Sequence, residues 1–295
     1  MSVLTKYQES YLSSQAEEFT FEEYLALCKD DPMAYATAAE RMLAAIGEPV
    51  LIDTSADPKL SRIHGNQIIK TYPAFSAFYG IESAIDQVVS HFRHAAQGLE
   101  EKKQILYLLG PVGSAKSSIA EKLKDLMETM PFYAVKGSPI NETPLGFFSE
   151  SDAEVFLSEY GIPRRYLSSI PSPWAAKRLR EHRGDLSEFT IVKLYPSALN
   201  QIAITNIEPG DENNQDISTL VGKLNIRKMD EYDQNDTDAY SYSGGLCLSQ
   251  SGLLNFSEMF KAPIKLLNPL LTATQDGTYN GTEAIGAIPY DGGVL

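Results

Sequence analysis

The segment that most constrains this chain is the loop Gly110-Pro-Val-Gly-Ser-Ala-Lys-Ser117, set directly after the apolar run Ile105-Leu106-Tyr107-Leu108-Leu109. A short, continuous apolar run is the pattern of a strand buried on both faces. The residues after the loop, from Lys116 to about Glu128, read as a helix. A glycine-containing loop between a strand and a helix is the context that a phosphate-binding (Walker A) motif requires. Its chemistry is simple: consecutive backbone N–H groups and the positive end of the helix surround an anionic β-phosphate. On this reading Gly110, Pro111, Val112, Gly113, Ser114, Ala115, Lys116, Ser117 and Ser118 form the nucleotide-binding segment. Lys116 reaches the β- and γ-phosphates, and the Ser117 hydroxyl is a ligand for Mg²⁺. ATP and Mg²⁺ are therefore the expected ligands. The competing interpretation is a strand-to-helix turn that holds no nucleotide.

One position departs from the motif. Ala115 stands where the pattern has glycine. If that residue must be left-handed, its Cβ costs about 1–2 kcal/mol. If it belongs to the first helical turn, the cost falls close to zero.

The rest of the chain frames this loop. Thr20 with Glu23 has capping-box spacing ahead of Tyr24, Leu25, Leu27 and Cys28, so a helix is expected there. A second helix is expected from Asp31-Pro32 to Leu43, stopped at Gly47 with Pro49 beyond. Residues 51–78 carry Pro58, Gly65 and Pro73 with little periodicity and read as a connector. Ile85, Val88, Val89 and Phe92 recur at helical spacing between Ile81 and Gln97. Phe132–Val135 and Thr190–Leu194 are further strand candidates, with Pro-interrupted helical segments between them, including 160–180. Strands alternating with helices imply a parallel sheet covered by helices. The expected fold is thus α/β, with a helical region over 1–78 and a nucleotide-binding core over 79–295. Residues 206–245 are polar and acidic and read largely as loop. Gly286 to Leu295 reads as a strand interrupted by Asp291-Gly292-Gly293. There is no internal repeat.

Composition narrows the function classes. Of 295 residues, 39 are acidic and 25 basic, a formal net charge of −14. Phosphate backbones are held by concentrated Lys and Arg, so this balance argues against nucleic acid as a partner. Cys28 and Cys247 lie far apart with no Cys-x-x-Cys or Cys/His spacing, which argues against a disulfide framework or structural zinc. Met1 to Tyr11 lacks the basic-then-apolar pattern of a signal peptide, and no window approaches a membrane-spanning length. A cytoplasmic protein with no membrane partner is expected.

Other constellations carry less. His182-Arg183-Gly184-Asp185 imitates a protein-kinase catalytic loop, but Gly184 is an insertion and Thr190 stands where that loop needs Asn. A surface turn is expected. Asp211, Glu212 and Asp216 do not follow EF-hand spacing and read as an exposed acidic loop. His91 and His94 are three apart on a helix, without a supporting carboxylate or thiol at suitable spacing. Trp174, between Pro173 and Ala175, is expected to pack locally.

Beyond the loop, long strings of the chain resemble one family. These include Ala34-Tyr-Ala-Thr-Ala-Ala-Glu-Arg-Met-Leu43, His91-Phe-Arg-His-Ala-Ala-Gln-Gly-Leu-Glu-Glu-Lys-Lys103 and Lys136-Gly-Ser-Pro-Ile-Asn-Glu142. They continue through Gly161-Ile-Pro-Arg-Arg-Tyr166, Glu208-Pro-Gly-Asp-Glu-Asn-Asn-Gln-Asp-Ile217, Asp238-Ala-Tyr-Ser-Tyr-Ser-Gly-Gly-Leu-Cys247, Met259-Phe-Lys-Ala-Pro-Ile-Lys265 and Pro269-Leu-Leu-Thr-Ala-Thr-Gln275. The family is the bacterial PrkA proteins, serine protein kinases built on an AAA+ ATPase core. The resemblance implies an AAA+ P-loop fold, phosphate transfer from ATP to protein Ser or Thr, a protein substrate, and a homo-oligomeric AAA+ ring in the full-length form. Family members run on past the strand matching Ile285–Leu295 into a sensor asparagine, a helical lid and a kinase-like domain. The chain is therefore expected to be the front part of a longer protein.

The same resemblance assigns the segment Gly252-Leu-Leu-Asn-Phe-Ser-Glu258 to the strand that ends in acidic residues. Glu258 matches the glutamate that activates water, which makes Glu258 and Lys116 the candidate catalytic pair. Ser257 stands in place of the Mg²⁺-side aspartate, and Asn255 replaces a family glutamate. Without the resemblance, Glu258 reads as a solvated residue opening a helix from Met259 to Leu267, favoured there by the helix dipole. Three functions follow: a PrkA-type kinase/ATPase, an AAA+ ATPase that remodels partner proteins, and a nucleotide-binding fragment with impaired hydrolysis.

Overall fold

Two threonines open the N-terminal helices. In the computed structural model, which describes residues 17–111, 113–208, 216–283 and 285–295, β1 (Glu18–Thr20) runs into α1 (Phe21–Asp30). The Thr20 hydroxyl accepts from the Glu23 amide, and the Glu23 carboxylate accepts from the Thr20 amide. The expected capping box is therefore present. Thr37 and Glu40 repeat the device to open α2 (Ala38–Ile46), which ends at Gly47. The continuous helix expected from Pro32 is instead a 3-10 turn, Pro32–Tyr35, and a restart at Thr37. A second capping residue inside the stretch divides it. Met1–Tyr11, Val112, Asp211 and Glu212, named above, lie outside the described residues.

Residues 51–78 are more ordered than a connector. β2 (Val50–Asp53) and β3 (Ile68–Thr71) pair antiparallel around α3 (Pro58–His64). Both strands are mostly exposed, so they lack the apolar alternation that marks a strand in sequence. The stretch 17–78 is thus mixed in structure rather than helical throughout.

α4 (Glu82–Ala96) and α5 (Lys116–Glu128) follow. Ile85, Val88, Val89 and Phe92 of α4 are buried, as their spacing predicts. With Met42 and Ile46 of α2 and Leu123 and Met127 of α5 they form one core. Each fully buried aliphatic side chain there contributes about 1.5–3 kcal/mol.

The two strand candidates after α5 correct the sequence reading. β4 (Phe132–Val135) is followed by α6 (Ala153–Tyr160), α7 (Pro173–Glu181) and β5 (Thr190–Leu194). β4 and β5 pair antiparallel, Phe132 opposite Leu194, and β1 joins on the other side of β5 with Glu18 opposite Val192. They are not members of the parallel sheet. The chain between them is a long Pro-broken excursion rather than one crossover helix, so the alternation rule does not apply.

The parallel sheet is built from later residues. β6 (Ile204–Ile207) ends inside the stretch that reads as polar loop. After it come α8 (Ser218–Val221), the ladder of β7 (Lys223–Leu224) with β8 (Tyr240–Ser241), and α9 (Gly245–Leu248). Next are β9 (Leu253–Phe256), α10 (Ile264–Asp276), the antiparallel pair β10 (Thr278–Asn280) and β11 (Ala287–Pro289), and β12 (Gly293–Val294). The sheet order is β12-β9-β6 with both pairings parallel, Ile204 and Gly293 each opposite Leu253. Leu253 faces the α2–α4–α5 core, and its neighbour Leu254 faces a second core with Leu266 and Leu270 of α10. Helices therefore cover both faces, the arrangement expected for α/β. Gly252 passes so close to the Ala203 carbonyl that there is no room for a Cβ.

Candidate functional site

The run before the loop departs from expectation. Ile105–Leu109 is extended but makes only one backbone bond to the sheet, Leu106 N to Val294 O at 2.9 Å. Leu106 and Leu108 pack on the α2–α4–α5 core and Ile105 on the other, whereas Tyr107 is 48% and Leu109 83% exposed. The run is not a strand buried on both faces. It lies along the outer side of β12, and among the described residues no strand pairs with its other edge.

The loop itself is tight. Gly113 has φ +81°, and a Cβ on Gly110 would sit 2.7 Å from Ser114 Oγ. Ser114 Oγ donates to the Pro111 carbonyl at 2.8 Å. Ala115 is left-handed, φ 60° and ψ 13°, and is the N-cap of α5. Of the two possibilities at this position, the strained one holds, at about 1–2 kcal/mol. The burial of Ile119, Ala120 and Leu123 on the same helix offsets that cost.

Ala115 has no side chain with which to cap α5, unlike Thr20 and Thr37. The first-turn amides of a 13-residue helix therefore face the loop without a side-chain acceptor. Lys116 Nζ donates to the Gly110 and Pro111 carbonyls, both at 2.7 Å, and to Ser114 Oγ at 3.1 Å. Ser117 and Ser118 are exposed.

A buried lysine that motif reading misses fixes α5 to the sheet. Lys124 is 4% exposed; its Nζ donates to Glu121 Oε1 at 2.6 Å and Asn206 Oδ1 at 3.0 Å. Asn255 Nδ2 donates to the same Asn206 oxygen at 3.0 Å. A signal was present: Lys124 falls four residues after Ala120, on the apolar stripe of the helix. Asn255 is thus engaged across the β6–β9 ladder.

Glu258 leaves the end of β9. Ser257 N donates to Ile207 O at 2.9 Å, closing the ladder, and Glu258 then turns left-handed at φ 53°, ψ 36°. Its exposed carboxylate accepts from Lys261 Nζ at 2.7 Å. The helix read from Met259 to Leu267 is instead a 3-10 turn, Met259–Lys261, followed by α10 from Ile264, because Pro263 interrupts it. The Tyr107 and Phe260 rings meet edge-on, centroids 4.9 Å apart. Leu106 lies beside Val294, itself opposite Leu254. The loop and Glu258 therefore leave the same end of the sheet.

The lesser candidates have partners of their own. Asp185 accepts from the Ser187 amide and hydroxyl and caps a 3-10 turn. Asp216 does the same for Ser218. His94 Nδ1 lies 3.1 Å from Glu101, and burial holds His91 below its ordinary pKa. The Arg178 guanidinium stacks over Trp174 at 5.3 Å. Cys28 and Cys247 are both buried free thiols, whose burial raises their pKa values to about 12 and about 11. Among the described residues, no helix is long and apolar enough to cross a membrane, and no group of three or more His, Cys, Asp or Glu is placed to hold a metal.

A parallel sheet between helical layers, with a glycine-containing loop opening a helix at one end, is the frame of a P-loop α/β domain. The family model for the PrkA AAA domain matches residues 19–295, and the chain belongs to that family. It is 58% identical over 300 aligned residues to "Serine/threonine kinase YeaG" of Escherichia coli strain K12, covering 100% of this chain and 47% of that protein. The protein of the same name in Escherichia coli O157:H7 gives the same figures. "ATP-dependent protease PrkA" of Bacillus subtilis strain 168 is 31% identical over 272 residues, covering 89% of this chain and 41% of that protein. The chain thus spans about half the length of the curated relatives it matches. No solved structure matches it.

Proposed function

We propose that this chain is the ATP-binding domain of a PrkA-type enzyme, with Gly110–Ser118 as the phosphate cradle. The observation that carries this reading is the uncapped start of α5 beside Lys116. Uncapped amides at a helix N-terminus favour an anion, and a lysine in the loop supplies the counter-charge. Lys116 Nζ now satisfies its donors on two backbone carbonyls and Ser114 Oγ; phosphate oxygens, being charged acceptors, are stronger partners. The exposed Ser117 hydroxyl fits a magnesium ligand. Mg²⁺ bound there with ATP neutralises phosphate charge. Glu258 is the group assigned to orient or deprotonate an attacking water, and its carboxylate accepts a hydrogen bond from Lys261.

The finer reading is that the intact protein transfers phosphate from ATP to protein Ser or Thr. It rests on the name of the 58%-identical relatives. The 31%-identical relative bears a different name, an ATP-dependent protease, which supports a second reading in which ATP turnover drives work on a protein partner, in an oligomeric ring. Labelled ATP separates the two. The full-length protein is incubated with [γ-³²P]ATP and a protein mixture. Label on protein Ser or Thr supports transfer; label only as free phosphate, with ATP-dependent growth of the particle in light scattering, supports the remodelling or proteolytic reading. Failure of ATP to bind at all would overturn both.

A further inference from the structure

Lys124 is a cation on the apolar face of its helix. α5 buries Ile119, Ala120, Leu123, Leu126 and Met127, and Lys124 lies among them, 4% exposed. Its ammonium meets one carboxylate, Glu121, whose side chain is 65% exposed, and one neutral oxygen, Asn206 Oδ1, at 2.6 and 3.0 Å. Exchanging a buried ion for an apolar side chain of similar volume is often neutral or stabilising, because the desolvation penalty disappears. A methionine here would keep the packed stem of the lysine and shed that penalty. Stability alone therefore does not account for the charge.

The ammonium reaches a junction. Asn206 and Asn255 stand directly opposite each other in the parallel β6–β9 ladder, and Asn255 Nδ2 donates to the same Asn206 oxygen at 3.0 Å. Asn255 lies two residues after Leu253, so it shares the α5 side of the sheet. One oxygen thus ties the helix to both strands. Among the described residues no other hydrogen bond joins α5 to β6 or β9. At the far end of the helix Arg41 of α2, 1% exposed, donates to the Met130 carbonyl just beyond α5 at 3.3 Å, and to the Ser251 carbonyl just before β9. Arg41 holds the ends remote from the loop, and Lys124 is the next tie toward it. Apolar contact is non-directional, whereas a hydrogen bond fixes where two groups meet.

Two arms leave this junction toward the candidate site. Along α5, Lys116 lies eight residues from Lys124, about 12 Å at the rise of a helix. Along β9, Glu258 lies three residues beyond Asn255, about 10 Å at the rise of a strand. The loop and Glu258 leave the same end of the sheet. A slide of α5 along β9 therefore changes the gap between phosphates held by Lys116 and the group assigned to activate water. A misplacement of about 1 Å between reacting groups can cost roughly 100-fold in rate.

We propose, resting on the ATP-binding reading above, that Lys124 is a positioning residue for ATP turnover. Its bond to Asn206, shared with Asn255, sets where α5 rests along β9, and so the separation of Lys116 and Ser117 from Glu258. The full-length protein tests this as wild type, Lys124→Met, Asn206→Leu and the double variant. Each single variant should lower kcat for ATP hydrolysis about tenfold, the factor for one charge-assisted hydrogen bond. The Kd of a non-hydrolysable ATP analogue should stay within about twofold, because the loop holds phosphate with its own amides and Lys116. The double variant should lose no more than either single one, since both remove the same bond. Lys124→Met should keep or raise the urea midpoint, which a purely structural lysine would not allow alongside a lower kcat. Should Lys124→Met fail to fold, Asn206→Leu carries the kinetic comparison. An unchanged kcat in a folded single variant, losses that multiply in the double variant, or a Kd that rises as kcat falls overturns the proposal and leaves the ATP reading standing. A wild type that neither binds nor hydrolyses ATP overturns both.

Discussion

The rings of Tyr107 and Phe260 meet edge-on at 4.9 Å, joining the run that leads into the phosphate loop to the turn that carries Glu258. Such a pair is worth about 0.5–1.5 kcal/mol beyond its buried area. Phe260→Ala should therefore loosen the Glu258 turn while leaving the loop intact. Steady-state kinetics with a separate ATP titration should give a kcat for ATP hydrolysis lower by roughly threefold to tenfold, the same energy expressed as a rate, at nearly unchanged ATP affinity. A loss of affinity with unchanged kcat would refute this coupling.

Lys116→Ala should abolish ATP binding. Hydrogen bonds to charged groups contribute about 1.5–3 kcal/mol each, so losing the ammonium should cost roughly 100-fold or more. The present partners of Lys116 are two loop carbonyls and a hydroxyl, so the fold should survive. Titration with a fluorescent ATP analogue reads the first effect, and circular dichroism the second. Retained affinity in a folded variant would remove the loop from the site.

Ala115→Gly should stabilise the protein. The left-handed Ala115 costs about 1–2 kcal/mol, and glycine returns about 0.4–1 kcal/mol of that through the freer unfolded chain. A net gain between zero and about 1.6 kcal/mol should appear as a higher urea midpoint at unchanged slope. Destabilisation would mean that the methyl group makes a contact outweighing its strain.

Glu142 should make stability fall as pH rises. Its burial lifts its pKa above the ordinary 4.5, so the folded state keeps a proton that the unfolded chain releases. The group contributes fully below 4.5, loses its contribution as pH passes up to the folded value, and is level beyond. Urea midpoints of wild type minus those of Glu142→Gln, followed upward from pH 4.5, should decline and then flatten. A rising difference would show that the serine donors of Ser138 and Ser172 outweigh burial.

What the sequence makes legible here is local. The Thr20–Glu23 cap, the buried stripe of α4 and the start of α5 at Lys116 follow from neighbours a turn apart, and all appear where the pattern places them. Strand partners do not. Phe132–Val135 and Thr190–Leu194 read as members of a parallel sheet, yet their partners are each other and β1. Ile204–Ile207 escapes notice because a four-residue strand whose last two residues fall in a polar stretch carries no period of its own. At the loop, the motif names the residues expected to hold phosphate, while only backbone geometry could choose between the two conformations open to Ala115. The burial of Arg41 and Lys124 depends on what packs over them, which no spacing rule reports.

The pairing of β1 with β5 has a consequence for synthesis. Glu18 leaves the ribosome well before its partner Val192, with the whole intervening chain made between them. Until then α1 and its aromatic face, Phe21 and Tyr24, lack the strand beside which they are finally buried. Pairings so distant along the chain close slowly because loop entropy must be overcome first. The nascent α1 is therefore a sticky, half-made surface until those partners have been made.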